Sequence, residues 1–146
     1  MKRAIYPGSF NPWHEGHCDV LNKALKIFDK VEIAIGYNLE KEDLLTSISN
    51  RVKTISAKIK EHPETNRVSV SFFKGLFVEH IIKQNKDYDV VLRGLRNGHD
   101  LQYEMNQQYW NEDLGLEIPT IYIITDRKLG HISSSAIRTI KNAKRN

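Results

Sequence analysis

Five short apolar segments alternate with amphipathic segments along the chain, and this alternation constrains the fold more than any other feature. The apolar segments are rich in β-branched and aromatic residues, as in VEIAIGY and TIYIIT. They cover residues 3–6, 31–37, 68–73, 90–93 and 120–125. The segments with helical periodicity cover residues 17–28, 47–61, 76–85, 101–114 and 134–143. Strands that alternate with helices predict βαβ units, and therefore an α/β fold with a parallel five-stranded sheet and helices on both faces.

Length and composition predict a single domain over residues 1–146. The chain is 40% hydrophobic and 27% charged, which is enough to form one core and is not typical of disorder. Its single cysteine, Cys18, excludes an internal disulfide. The net charge of +4 favours anionic partners such as nucleotides or phosphates.

The beginning of the sequence carries no targeting pattern. Its apolar run is shorter than a signal peptide requires and is interrupted by Pro7 and Gly8. No segment approaches the roughly 18 apolar residues of a membrane-spanning helix. We therefore expect a cytoplasmic protein with no membrane partner.

The loop that follows the first predicted strand has features of a phosphate site. It contains neither GxxxxGK[ST] nor GxGxxG, so the two common nucleotide-binding fingerprints are excluded. Gly8 allows the backbone to approach a ligand closely, and Gly16 lies just before a helix whose free N–H groups attract an anion. His14 and His17 are three residues apart at this helix start, so both side chains can face one point.

Two other interpretations of these histidines stay open. His14, His17 and Cys18 could bind zinc, although no further cluster completes a tetrahedral set. The pair Glu15 and His14 is similar to part of the metalloprotease pattern HExxH, but the second histidine is at the wrong spacing. Either histidine could also be a structural helix cap.

Two later loops carry groups suited to phosphate. Arg93 and Arg96 flank Gly-Leu directly after the fourth strand, and guanidinium groups bind phosphate oxygens through paired hydrogen bonds. The alternative is a pair of surface ion pairs with Asp100 or Glu104. A run of three serines opens the last helix, where hydroxyl groups and free N–H groups can surround a triphosphate or simply cap the helix. These serines are Ser133, Ser134 and Ser135.

At this point the motifs resemble a known family. The segment GSFNPWHEGH resembles the signature of the HxGH nucleotidyltransferase superfamily, and ISSSAIR resembles its second signature. The segment RGLR followed by DxxYE is similar to the phosphopantetheine adenylyltransferase family. The resemblance implies a Rossmann-like sheet and transfer of AMP from ATP to 4′-phosphopantetheine, which gives dephospho-coenzyme A and pyrophosphate in coenzyme A biosynthesis.

The resemblance also implies roles for individual residues. As catalytic residues it implies His17, which would donate to the α-phosphate, together with Lys41 and Arg93, which would hold the acceptor phosphate. As residues that bind ATP it implies Ser9, Phe10, His14, His17, Gly94, Leu95, Arg96, Glu104, Leu129, Gly130, His131, Ile132, Ser133, Ser134 and Ser135. As residues that bind the acceptor it implies Ser9, Lys41, Phe77, Arg93 and Asn111. Mg²⁺ would accompany ATP without a dedicated set of protein ligands, and the family usually forms homo-oligomers, most often hexamers. Trp110 could serve such an interface or belong to the core.

Two alternative functions stay open. HEGH and ISSSAIR also resemble nicotinamide-mononucleotide adenylyltransferases, which keep the fold and change the acceptor. A non-catalytic nucleic-acid binder would use the positive charge, but the basic residues are dispersed except in the segment 141–145, and no RNP or helix-turn-helix pattern occurs.

Overall fold

A computed structural model describes residues 1–37, 47–84 and 87–145, and it contains one parallel five-stranded sheet. The strands are β1 (Arg3–Gly8), β2 (Lys30–Tyr37), β3 (Val68–Lys74), β4 (Val90–Leu95) and β5 (Thr120–Ile124). The helices are α1 (Glu15–Ala24), α2 (Ile48–Lys60), α3 (Phe77–Gln84), α4 (Gly98–Asp113) and α5 (Ser134–Arg145). The strand order β3-β2-β1-β4-β5 is that of a Rossmann-like sheet, so the predicted fold class is confirmed.

Alternate residues of the central strands supply two hydrophobic cores. Tyr6 and Leu92 belong to the core on the side of α1 and α2. Ile5 and Val91 point to the other side, where they pack with Val78 of α3. A side-chain period of two places successive residues on opposite faces, and because both faces are covered, the strands read as continuous apolar segments.

Helix caps explain where the observed boundaries differ from the predicted ones. Helix α1 begins at Glu15 rather than residue 17, because His14 caps it. Helix α4 begins at Gly98 rather than residue 101, because the side chain of Asn97 accepts a hydrogen bond from the backbone N–H of Asp100. The sequence allows a capping role for His14 and indicates none for Asn97.

The sheet opens between β1 and β4, where the strand order reverses. The ladder between these strands contains only two residue pairs, Ala4 with Val90 and Ile5 with Val91, whereas β1 and β2 form six. Pro7 has no N–H group to donate, and its carbonyl oxygen accepts instead from the guanidinium of Arg93. Open parallel sheets bind ligands at such a switch point, beyond the carboxyl ends of the strands.

None of the helices in the described ranges 1–37, 47–84 and 87–145 is long and apolar enough to cross a membrane.

Candidate active site

The loop from β1 to α1 is closed by the two histidines of the HEGH segment. The Nδ1 atom of His14 accepts a hydrogen bond from the backbone N–H of Gly16 at 3.0 Å. The Nδ1 atom of His17 accepts one from the backbone N–H of His14 at 3.1 Å. The two rings are stacked with their centroids 3.7 Å apart. His14 is therefore a helix cap, as one alternative proposed, and it also helps to fix the ring of His17.

These hydrogen bonds determine the tautomers of both rings. A neutral imidazole whose Nδ1 accepts a hydrogen bond carries its proton on Nε2. His14 and His17 therefore each offer an Nε2–H donor and no free nitrogen lone pair. In this state each ring can donate a hydrogen bond to a phosphate oxygen, and neither ring is suited to binding zinc.

Burial keeps His17 neutral. Its ring lies among aromatic rings, with the centroid of Phe10 at 4.9 Å and that of Trp13 at 5.4 Å. Burial in this apolar cluster, followed by repulsion from His14, Arg93 and Arg96, lowers the pKa of His17 to about 2. Burial and the charge of Arg96 lower the pKa of His14 to about 4.

Gly16 is required because the cap is so tight. A Cβ atom at this position would lie 2.9 Å from Cε1 and 3.1 Å from Nδ1 of His14. A side chain at position 16 would therefore displace the ring that caps α1.

Arg93 lies at the opening between β1 and β4 and is held by a buried carboxylate. Its Nε and Nη2 atoms donate to the two carboxylate oxygens of Glu104, at 2.9 and 2.7 Å. Burial alone would lower the pKa of Arg93, but the hydrogen bonds and charge of Glu104 outweigh it and leave that pKa raised. The guanidinium is thus permanently charged and fixed in direction, as a phosphate-binding group requires.

Arg96 is held in a second bidentate pair. Its Nε and Nη2 atoms each donate to the carboxylate of Asp100 at 2.9 Å, and its backbone N–H donates to the same carboxylate. Its Nη1 atom reaches the carbonyl oxygen of Ile132 at 3.4 Å. Burial raises the pKa of Asp100, but the hydrogen bonds from Arg96 outweigh this and lower that pKa overall. The ion pairs that were considered as an alternative for both arginines are therefore present. They fix the directions of the two guanidinium groups, which are not on open surface.

The three serines at the start of α5 make three different contacts. Ser133 caps the helix, with its Oγ accepting from the backbone N–H of Ala136 at 3.0 Å. Ser134 donates to the carbonyl oxygen of Pro12 at 2.9 Å. Ser135 accepts from the guanidinium of Arg138 at 3.2 Å. The second of these contacts ties α5 to the loop that precedes α1.

The starts of α1 and α5 line one cavity of about 360 Å³, which we call the phosphate pocket. Most of the residues expected to bind ATP line it, as does Arg93. Those residues are Ser9, Phe10, His14, His17, Gly94, Arg96, Glu104, Ser133, Ser134 and Ser135. The pocket wall does not include Leu95, Leu129, Gly130, His131 or Ile132. Leu95 and Leu129 are buried, and Ile132 contributes its carbonyl oxygen to Arg96.

A second and larger cavity of about 690 Å³, which we call the acceptor cleft, adjoins the phosphate pocket. Its wall includes Phe77 and Asn111, which were expected to bind the acceptor, together with the aromatic ring of Phe73. Ser9 and Arg93 line both cavities, so they lie between the two sites. This is the arrangement needed to bring two phosphate groups together.

Lys41, the third expected catalytic residue, lies outside the described residues. Several residues of the two cavities were not found by sequence reasoning. Arg138 is the clearest of them, because it lines both cavities and follows the three serines by one helical turn. Tyr103 also lines both cavities, and its place in DxxYE was the available signal.

The zinc alternative finds no support in the structure. No group of three or more His, Cys, Asp or Glu side chains in the described ranges could hold a metal ion. The Nδ1 atoms of both histidines are already occupied by backbone N–H groups.

Comparison with known proteins shows the family to which this chain belongs. The family model described as cytidylyltransferase-like matches residues 5–140. A phosphopantetheine adenylyltransferase of Clostridium novyi (strain NT) is 38% identical over 96% of this chain and 83% of its own length. The protein of the same name from Syntrophotalea carbinolica is 35% identical over 94% of this chain and 79% of its own length. This chain belongs to the phosphopantetheine adenylyltransferase family.

Solved structures support the fold of this family member. A Plasmodium falciparum nicotinic acid mononucleotide adenylyltransferase in complex with NaAD covers 99% of the chain with a TM-score of 0.72, and 90% of that protein is covered. A lipopolysaccharide core biosynthesis protein of Thermoplasma volcanium has a TM-score of 0.59 and covers 86% of the chain, with 98% of that protein covered. Their identities of 17% and 19% establish the shared fold only.

Proposed function

We propose that this member of the family transfers AMP from ATP to 4′-phosphopantetheine and releases pyrophosphate. The observation that carries the proposal is the pair of adjoining cavities with Ser9 and Arg93 in their common wall. One cavity is built from two helix N-termini and basic groups, and the other is lined by aromatic and amide side chains. A polyphosphate fits the first, and a phosphate at the end of a mixed apolar and amide chain fits the second.

The reaction needs position and charge neutralisation more than proton transfer. A phosphate oxygen of the acceptor bonds to the α-phosphorus, and the bond from that phosphorus to the oxygen bridging the α- and β-phosphates breaks, so that pyrophosphate leaves with the bonding electrons. The attacking phosphate is already ionised near neutral pH, so no general base is required. His17 donates its Nε2–H to the α-phosphate, where charge increases in the transition state.

The arginines complete the electrostatic environment. Arg93 holds the acceptor phosphate near the α-phosphorus, because it lies where the two cavities meet. Arg96 and the serines at the start of α5 hold the β- and γ-phosphates. Lys41 is proposed to bind the acceptor phosphate beside Arg93.

Magnesium is proposed as part of the MgATP substrate. The two carboxylates of the phosphate pocket, Asp100 and Glu104, are engaged by Arg96 and Arg93, so they do not form a carboxylate site for a resident ion. When bound, the ion would neutralise phosphate charge and keep most of its waters.

We also propose that the protein is a cytoplasmic homo-oligomer, with a hexamer as the expected state. Trp110 on α4 is 65% exposed and Ile124 on β5 is 68% exposed. The core position considered for Trp110 in the sequence is therefore wrong. Exposed apolar side chains on a helix and on an edge strand are typical of an interface.

Product analysis tests the proposed reaction directly. The protein is incubated with MgATP or MgCTP and with either 4′-phosphopantetheine or nicotinamide mononucleotide, and pyrophosphate release and product mass are measured. We expect dephospho-coenzyme A from ATP and 4′-phosphopantetheine alone. Dinucleotide formation from nicotinamide mononucleotide at a higher kcat/KM would favour the alternative acceptor, and no turnover with any pair would refute the proposal.

A further inference from the structure

A third cavity, of about 310 Å³, lies between α2 and α5 and is not used by the proposed reaction. We call it the basic cavity, because four of its wall residues are cationic and, among the residues that the structure describes, none of its wall residues is acidic. They are Arg51, Arg138, Lys141 and Arg145. Lys141 and Arg145 belong to the segment 141–145, in which the basic residues of the sequence are concentrated.

Helical spacing places three of these groups on one face. Arg138, Lys141 and Arg145 follow one another at intervals of three and four residues on α5, so their side chains lie along the same side of the helix. None of the three forms an ion pair with a carboxylate of the described residues. Like charges repel one another on a helix face, and an anion between them removes that repulsion.

The basic cavity adjoins the pocket proposed for the leaving group. Arg138 lines the phosphate pocket, the acceptor cleft and the basic cavity. Its guanidinium donates to Ser135 Oγ and to the carbonyl oxygen of Asn11, so it is fixed at the point where the three spaces meet. An anion released near Ser135 therefore meets Arg138 first, and then Lys141 and Arg145 further along α5.

We propose that the basic cavity is a binding site for the released pyrophosphate, which moves into it along the cationic face of α5. This inference rests on the proposed adenylyl transfer for the origin of the anion. The cavity would hold a small, highly charged ion near the reaction site while freeing the pocket between the two helix N-termini. Occupation of the cavity would also make pyrophosphate an inhibitor that does not simply compete with ATP.

Direct binding tests the assignment without turnover. Inorganic pyrophosphate is titrated calorimetrically into the full chain and into Lys141→Ala, with Lys144→Ala as the matched control. Lys144 lies on the same helix but does not line the cavity. We expect Lys141→Ala to weaken binding about threefold and the Lys141→Ala/Arg145→Ala double variant about tenfold, with Lys144→Ala below about twofold. Equal effects of Lys141→Ala and Lys144→Ala would overturn the proposal, because general surface charge would then explain them.

Kinetics separates this site from the phosphate pocket. The double variant is expected to raise the inhibition constant of pyrophosphate about tenfold and to leave the KM for MgATP within about twofold. A parallel rise in the KM for MgATP would overturn the inference, since the residues would then serve the pocket itself. Binding of a single-stranded oligonucleotide that requires Lys141, without pyrophosphate binding, would also overturn it. If no dephospho-coenzyme A forms but the pattern of pyrophosphate binding persists, the proposed function fails and the anion site stands.

Discussion

His17 is a neutral donor at a position where a charged imidazolium would bind phosphate more strongly. The aromatic cluster and the nearby arginines exclude the positive form, and the His14 backbone N–H holds the tautomer that points a proton outward from Nε2. A neutral donor attracts the ground-state phosphate less and responds most when charge grows in the transition state. The role proposed for His17 therefore predicts a larger effect on rate than on substrate binding.

Replacing His17 by alanine therefore tests whether this residue affects kcat more than the KM for MgATP. We expect kcat of His17→Ala to fall by about 10²–10³, as for other oxyanion donors, while the KM for MgATP changes less. His99→Ala, an exposed histidine at the start of α4, serves as the control and should retain full activity. Steady-state kinetics measures both constants, and a loss of less than tenfold in kcat would contradict the role given to His17.

The lowered pKa of His17 also predicts a pH dependence of stability. Below pH 6.5 the unfolded chain protonates this histidine, whereas the folded chain does not until about pH 2. The unfolded state then binds more protons, so stability decreases as pH falls from 6.5. At about 1.4 kcal/mol per pH unit, the contribution between pH 6.5 and 5 is about 2 kcal/mol. Urea unfolding at both pH values measures it, and His17→Gln, which removes the titrating group, should show a smaller decrease than the unchanged protein.

At the scale of elements, the start of α1 depends on the absence of a side chain at Gly16. Gly16 lets the ring of His14 return onto the helix terminus, and the stacked ring of His17 depends on that position. From the sequence, Gly16 was interpreted as lying just before a helix start that attracts an anion. In the structure, the ring of His14 occupies the space that a side chain at this position would need.

Gly16→Ala should therefore disturb the cap and the ring of His17 together. We expect a lower melting temperature and a loss of kcat of at least about tenfold, because the loss of a cap costs about 1 kcal/mol and the donor is misplaced. Gly98→Ala is the matched control, since it is also a glycine in the first turn of a helix and no atom lies within 4 Å of its added Cβ. If the two variants behave alike in thermal unfolding and kinetics, steric crowding at His14 is not the cause.

The sequence predicted the presence of strands and helices better than the residues at which they end or the partners of their side chains. Apolar periodicity located all five strands and all five helices, because burial on a sheet or helix face leaves a repeating pattern. The sequence did not locate the cap by Asn97 and gave the cap by His14 only as one alternative, because each cap is a single side-chain contact. It also left open whether Arg93 binds a carboxylate or a phosphate, because a long-range pair with Glu104 has no local pattern.

At the scale of the whole molecule, the reversal of strand order brings distant segments to one site. Pro12 and Ser134 are in contact although they are 122 residues apart in sequence, and this contact joins the starts of α1 and α5. The motifs could predict that both segments bind phosphate. Their convergence follows from topology, since the carboxyl ends of parallel strands share one edge of the sheet.

The exposed apolar side chains of α4 and β5 allow the proposed self-association of the chain to be tested by substitution. We expect sedimentation of the unchanged chain to give a species larger than a monomer, and Trp110→Glu to shift it toward smaller species, because a charge would be buried in the contact. Glu112→Gln, on the same helix and exposed, is the control and should keep the assembly. A monomer at micromolar concentration, or no effect of Trp110→Glu, would contradict the proposed interface.

Helix α5 buries little of its surface, and its start lines the phosphate pocket, which predicts how nucleotide binding changes its stability. It buries none of its residues, whereas α1 buries Val20, Leu21 and Ala24. The side chains of Ser134 and Arg138 donate hydrogen bonds to the loop before α1. Regions with few buried apolar contacts open at low free energy, so the amide hydrogens of α5 should exchange faster than those of α1.

MgATP should protect α5 specifically, because the proposed phosphate contacts at the starts of both helices would add an attachment that α5 lacks. At a concentration of about 100 times its Kd, a ligand that requires the closed form slows exchange by up to about a hundredfold. Hydrogen exchange followed by mass spectrometry resolves the two helices, and Ser134→Ala should increase exchange of α5 in the absence of nucleotide. Protection of α1 without α5, or an α5 already as protected as α1 before MgATP is added, would mean that the last helix is not held by the phosphates.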